Sequence, residues 1–287
     1  MAQQPQRDGG RFVPGGPPGP GRGHLGPRAL RRVRAETPVD ITTLSRRELL
    51  DQVWDYRAGD HVTFVGRTQS GKSTLAFQLL ARIPEAVVPI VLVMKPRDPT
   101  VTRWTKQLKF KRTAVWPPVR ASRRVPRQYR PPGWVVWPSL GNIETDDDAT
   151  RALFHRVMAD SYAQAARRSP EDRAIFADEV VGISMQLGLK RDLDRLWMQG
   201  AGMGLGLWAG AQRPFELPQH GLSQAMHLFL ARDDDKRNRE RFGEIGGPDP
   251  DMIMSITSSL GQHQFLYINR TGTDRNGMPF MVIVAAR

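Results

Sequence analysis

One nine-residue stretch constrains the fold more than anything else in the chain. It is "GRTQSGKST", Gly66 to Thr74, set between the apolar run "VTFV" and a helical pattern, "TLAFQLLARI". The stretch fits G-x-x-x-x-G-K-[ST], with Gly66, Gly71, Lys72 and Ser73 in the required places. Glycines let a backbone wrap a phosphate without Cβ clashes, so that successive N–H groups from Gly66, Arg67, Thr68, Gln69, Ser70, Gly71, Lys72, Ser73 and Thr74 converge on the anion. A helix starting near Lys72 points its positive dipole end at the same spot. In this pattern Lys72 reaches the β- and γ-phosphates, and the Ser73 hydroxyl binds Mg²⁺. An incidental glycine turn would not need the strand before it or the helix after it. The expected cofactors are ATP and Mg²⁺.

Such a loop requires strand, turn and helix in that order, and the rest of the chain continues the alternation. The spacing predicts a helix over 43–54, capped by Thr43 or Ser45, and strands over 61–66, 87–94, 134–137 and 173–180. Helices are predicted over 147–168 and 189–202, the second with a glycine stop. Strands at 205–211 and 227–231, helices near 235–246 and 249–260, and strands at 263–269 and 279–285 follow. Strand–helix alternation of this kind means an α/β fold, a mostly parallel sheet with helices on both faces. The last two strands, joined through "NRTGTDRNG", read as a C-terminal antiparallel hairpin.

A second site element is "AIFADEV". Asp178 ends an apolar strand, where a carboxylate can hold the Mg²⁺ shell. Glu179 follows directly, and a second carboxylate beside the ion can orient and deprotonate an attacking water. Two acids capping a strand mean little in isolation; the phosphate loop about a hundred residues upstream is what makes them a candidate site. "DEVVG" comes near the D-x-x-G of GTPases but has one residue too many between Asp178 and Gly182; a guanine-reading N-K-x-D is missing as well, and "NRTGTD" (269–274) imitates it poorly.

Charge narrows the partner. The net charge is +13, yet residues 1–35 alone carry +6 and residues 95–130 carry +11, so the remainder is −4. Clustered basic charge favours a polyanion, because each neutralised phosphate releases counterions. Residues 1–38 are rich in Gly, Pro and Arg and read as a disordered tail; residues 39–287 read as one ATPase domain. Within it, 101–133 breaks the pattern as a basic insertion or binding arm. Lys106, Lys109, Lys111, Arg112, Arg120, Arg123, Arg124, Arg127 and Arg130 are spaced there among Trp104, Phe110, Trp116 and Tyr129. Phosphate contacts would supply affinity without sequence preference, and interleaved aromatics can stack on unpaired bases. The plainer reading of Trp116 and Trp134 is that they anchor the arm to the sheet. "DDDKRNRERFGEIGG" (233–247) reads as a charged, solvated helix.

With no cysteine, disulfides, cysteine-ligated zinc and a cysteine nucleophile are excluded, and a reducing compartment is suited. The longest apolar run, about Ala86 to Met94, falls far short of the ~18 residues of a membrane span, and no secretory signal is visible. The six histidines show no metal spacing.

Taken together, "GRTQSGKST", "IFADE", "GLGLWAGAQRP" and the strand–helix tail from 227 resemble the HerA/FtsK superfamily of DNA-pumping ATPases, over about residues 55–270. The resemblance implies a RecA-like P-loop NTPase core, a homo-hexameric ring, Mg·ATP hydrolysis between subunits and double-stranded DNA in a central channel. It also implies that "LGLWAGAQRP" is an extra strand lying between the phosphate-loop strand and the Asp-Glu strand. Gln212 at its tip would then be the amide that senses the γ-phosphate and the attacking water. Arg213 would move with it or reach a neighbouring subunit.

The chain departs from the superfamily pattern in three ways. Gly200-Ala201 stands where many relatives have Gly-Arg, leaving Arg191, Arg195, Arg213 and Arg232 as candidates for a trans-acting arginine. Lys95-Pro96 stands where many have Asp-Pro. No membrane-spanning region or N-terminal barrel is expected. A minimal motor with a basic tail resembles the virus- or plasmid-encoded members. The expected setting is cytoplasmic, in a bacterial host, or virion-associated, with a capsid, portal or transfer-machinery partner. The alternative is a nucleotide-switched partitioning or regulatory protein working through a protein partner.

Overall fold

The computed structural model describes residues 41–118, 129–138, 143–168, 171–246, 248–273 and 279–286. The tail expected over 1–38 therefore lies outside the described residues, as do Arg120, Arg123, Arg124 and Arg127.

The phosphate loop sits at the centre of the sheet because its strand is apolar on both faces. That strand, β2 (Val62–Val65), is buried throughout, so it is an interior strand of a covered sheet. Short β1 (Thr43–Leu44) precedes it, followed by α1 (Arg46–Glu48), which runs into a π-helical stretch, Leu49–Val53. The predicted helix thus begins later than Thr43. Ser45 is its cap, with a capping box: Glu48 N donates to Ser45 Oγ at 3.1 Å and Ser45 N donates to Glu48 Oε2 at 2.7 Å.

After β2 come α2 (Lys72–Leu80), β3 (Val87–Leu92), α3 (Pro99–Gln107), β4 (Lys111–Thr113), β5 (Trp134–Val136) and α4 (Ile143–Ala166). Then come β6 (Asp172–Ala177), α5 (Val180–Met185), α6 (Lys190–Gln199) and β7 (Leu205–Ala211). The chain continues through α7 (Gln219–Ser223), β8 (His227–Ala231), α8 (Arg239–Gly243), α9 (Pro250–Ser259), β9 (Phe265–Thr273) and β10 (Pro279–Val284).

Among the described residues the sheet runs β1-β10-β9-β8-β2-β7-β6-β3-β5-β4. From β8 to β4 every pairing is parallel. β9 is antiparallel to β8, and β10 to β9. Alternate residues of a strand serve opposite cores, as the period-2 geometry demands. In β6, Ile175 and Ala177 face the core built with α4, α5 and α6, whereas Ala174 and Phe176 face the core built with α2 and α3. Both faces are thereby covered by helices. Among the described residues no helix is long and apolar enough to cross a membrane.

The segment 101–133 is less of an excursion than its composition suggests. Its beginning lies in α3, and its middle supplies β4, which lengthens the sheet beyond β5. Trp104, Phe110, Trp116 and Trp134 are all buried. This overturns base stacking for Trp104, Phe110 and Trp116; only Tyr129 of that set is exposed. Apolar area that can be covered by the sheet's own edge goes inside. Trp116 and Trp134 do anchor the segment, and Trp116 Nε1 donates to Asp160 Oδ2 at 3.0 Å. The solvated helix expected over 233–247 is likewise partly internal, since Phe242 and Ile245 enter the core.

Candidate nucleotide-binding site

The order of strands decides what meets the phosphate loop. β7 pairs with β2 on one side and β6 on the other, so the tip carrying Gln212 lies between the loop and Asp178-Glu179. All three strand ends open on the carboxyl edge of the sheet, where α/β proteins bind ligands.

The loop itself is shaped for an anion. Gly71 caps α2 with φ 96°, a left-handed conformation that a side chain strains. It makes no side-chain cap bond, so the first N–H groups of α2 are not taken by a capping side chain. The N–H groups of a helix's first turn suit phosphate, whereas the N–H groups of Gly66 and Ser70 donate to the Ala211 and Arg67 carbonyls, each at 3.1 Å. Lys72 Nζ donates to the carbonyls of Gly66 and Arg67, folding back over the loop. Burial pulls the Lys72 pKa down, opposed by Asp178 and Glu179.

Ser73 Oγ donates to Asp178 Oδ1 at 2.6 Å. This pair of hard oxygen donors, one hydroxyl and one carboxylate, fits a magnesium ion that takes its remaining ligands from phosphate and water. Among the described residues no cluster of three or more acidic or histidine side chains is spaced for a metal.

Gln212 Nε2 donates to Glu179 Oε2 at 3.0 Å, and Gln212 Oε1 accepts from Thr68 Oγ1 at 3.3 Å. The amide thus links the acid to the loop. Burial raises the Glu179 pKa, while Gln212, Lys72 and Lys95 act to lower it. A cleft of about 460 Å³ joins Thr68 to Thr74 with Lys95, Asp98, Asp178, Glu179, Gln212 and His263.

The remaining expected residues are distributed differently. Arg67 turns its guanidinium to Asp234 at 2.8 Å, and only its carbonyl faces Lys72. Arg213 and Arg232 line a neighbouring cleft of about 410 Å³ that also touches Gly66 and Thr68. The Arg213 guanidinium lies 5.8 Å over the Phe215 ring. Arg191 and Arg195 lie on α6, with the Arg195 guanidinium 5.3 Å over the Tyr162 ring.

Three residues at the site carry no motif signal. His263 Nδ1 lies 3.2 Å from the Ser70 carbonyl, a contact across 193 positions. Lys95 and Asp98 enter from the end of β3; in the sequence Lys95 stands out only as a departure from Asp-Pro.

Fold and site together define a P-loop ATPase fold with a strand between the phosphate loop and the Asp-Glu strand. Solved structures sharing it include the DNA-packaging ATPase B204 of Sulfolobus turreted icosahedral virus, 14% identical, with TM-score 0.54 over 79% of this chain and 98% of that one. The genome packaging NTPase B204 of Sulfolobus turreted icosahedral virus 2, in complex with ATP-gammaS, is 14% identical with TM-score 0.54 over 79% and 98%. VirB4 of Thermoanaerobacter pseudethanolicus is 10% identical with TM-score 0.52 over 82% and 92%. At 10–14% identity these likenesses show a shared fold. No protein-family model and no curated protein matches the sequence.

Proposed function

We propose that the chain is an ATP-hydrolysing motor that translocates or packages double-stranded DNA, in viral genome packaging or plasmid-type transfer. The observation that carries this is the Gln212–Glu179 bond beside the Ser73–Asp178 pair. A half-buried water-activating carboxylate tied, through an amide at the tip of β7, to Thr68 of the phosphate loop is equipment for repeated turnover; a slow switch does not require it.

In this reading the loop amides and Lys72 bind and orient the β- and γ-phosphates. Ser73 and Asp178 would hold Mg²⁺, which when bound neutralises charge on the phosphates. Glu179 accepts the proton of the attacking water, and Gln212 holds Glu179 and that water in register. Arg213 would reach towards a neighbouring subunit of a ring, and a homo-hexamer completes the site in this scheme. The setting is a bacterial cytoplasm or a virion, with a capsid, portal or transfer-machinery protein as docking partner.

Charge supports DNA as the track. Lys106, Lys109 and Lys111 are exposed around a cleft of about 580 Å³ that Tyr129 and Arg130 also line. Exposed ammonium groups of this kind suit backbone phosphates, which carry no sequence information. The names of the packaging neighbours point the same way.

The test is steady-state ATP hydrolysis at low salt, alone and with linear duplex DNA, single strands or RNA, with Lys72→Ala as the blank. Stimulation by duplex DNA that fades as salt rises is expected. Slow hydrolysis indifferent to every nucleic acid would replace the motor with a nucleotide switch acting through a protein.

A further inference from the structure

Asp178 divides its two oxygens between different partners. Oδ1 accepts from Ser73, and Oδ2 lies 3.5 Å from Lys95 Nζ. The register explains the meeting: β3 and β6 are paired with Leu92 opposite Ala177, so the chain leaving β3 runs beside the chain leaving β6. The Lys95 backbone is held there. Its carbonyl accepts from the buried indole Nε1 of Trp137 at 2.8 Å, and Pro96 restricts the conformation before it.

The two sides of this ion pair are unequal. The Asp178 side chain is 6% exposed and that of Lys95 49%, so the carboxylate is fixed and the ammonium is free to leave. A second acceptor is already at hand: Asp98 Oδ2 is 3.7 Å from the same Nζ. Asp98 is immobilised as the cap of α3, accepting from Val101 N at 2.9 Å. Both separations are longer than a hydrogen bond, which suits a charge that changes partners. An ammonium on one oxygen of a carboxylate and a divalent ion on the other repel each other strongly.

We infer that Lys95 is a tethered cation that holds the second oxygen of Asp178 until a divalent ion enters, and then passes to Asp98. This rests on the assignment of Ser73 and Asp178 as the metal-holding pair. Lys95 makes metal uptake conditional: the ion arriving alone meets a positive charge, whereas one arriving with nucleotide brings phosphates that outweigh it. The nucleotide-free site then does not collect stray divalent ions between turnovers.

The test needs no turnover. Mn²⁺ binding to the nucleotide-free chain is titrated by electron paramagnetic resonance at fixed low salt, for the parent, Lys95→Met, Lys95→Arg and Asp178→Asn, with circular dichroism as the folding check. Lys95→Met keeps the alkyl stem and removes the charge, so Mn²⁺ should bind about tenfold more tightly. Lys95→Arg should stay near the parent. Asp178→Asn should abolish the binding. Unchanged Mn²⁺ affinity in a folded Lys95→Met chain, with Asp178→Asn still abolishing it, would overturn the role of Lys95 alone. Retention of Mn²⁺ by Asp178→Asn would overturn the metal assignment and this inference with it.

Discussion

Gln212 and Glu179, 33 positions apart in sequence, are bonded Nε2 to Oε2 at 3.0 Å, and the amide's other end accepts from Thr68 of the phosphate loop. The bond opposes the effect of burial on the acid. Burial raises the Glu179 pKa, so the ionised base is lost at a higher pH than the ordinary ~4.3 as pH falls. Gln212 opposes that rise. Gln212→Ala should therefore move the acid limb of the kcat–pH profile upward and lower kcat at neutral pH by roughly tenfold to a hundredfold. A limb that stays in place would show that the amide does not tune the acid.

Glu179→Gln keeps the shape and removes the base. Hydrolysis should fall by ~10²–10⁴-fold while a fluorescent ATP analogue still binds. Stability should move the other way. A carboxylate with a raised folded pKa costs the folded state stability above its unfolded pKa, as the proton leaves. The nucleotide-free variant should melt slightly higher than the parent at neutral pH and lose that advantage in acid. Thermal scans across pH check both.

Gly210 is where β7 passes the Asp-Glu turn. A Cβ there would stand 2.4 Å from the Asp178 carbonyl oxygen and 3.0 Å from its carbon, and these are backbone atoms that cannot swing aside. Gly210→Ala should push Asp178 away from Ser73. The expected result is a folded chain with at least tenfold lower hydrolysis, since small displacements of positioning groups carry large rate costs. Normal activity would mean that the turn relaxes without moving the acid.

Arg173 is a buried charge at the start of β6, donating to Asp160 Oδ2 at 3.1 Å, Ser161 Oγ at 3.0 Å and Gln164 Oε1 at 2.7 Å. Trp116 donates to the same Asp160 oxygen. Asp160→Ala strips the guanidinium of its counter-charge and should destabilise the fold by about 1.5–3 kcal/mol, read as a denaturant midpoint shift. Nucleotide affinity of the folded fraction should be unchanged, because these residues start β6 and the site lies at its other end.

Reversing the exposed charges of Lys106, Lys109 and Lys111 to Glu should leave basal hydrolysis intact and weaken duplex binding. The slope of log affinity against log salt should flatten by about 0.9 for each phosphate that is no longer neutralised. An unchanged slope would put the DNA elsewhere on the molecule.

The phosphate loop is legible in the sequence because all of its chemistry is contiguous: Gly66 to Thr74 build the cradle from neighbouring backbone atoms. Asp178-Glu179 is legible as an acidic end to an apolar strand. Gln212 is reached only through resemblance, because its bonded partner lies on another strand. Trp104 and Phe110, set among basic residues, read as candidates for stacking on bases, yet both are buried, and a short edge strand, β4, helps take the segment to the sheet; three residues are too few for a clear periodic signal.

By itself, then, the sequence determined the phosphate loop, the strand–helix alternation and the acidic strand end, because each depends on residues within a turn or two of one another. Tertiary structure alone decided that Lys95 faces Asp178, that His263 backs the loop at Ser70, and that Arg67 turns away to Asp234. Those meetings depend on strand order and register, which are set by how two whole cores close over the sheet. No local pattern encodes which distant strand end will come to lie beside another.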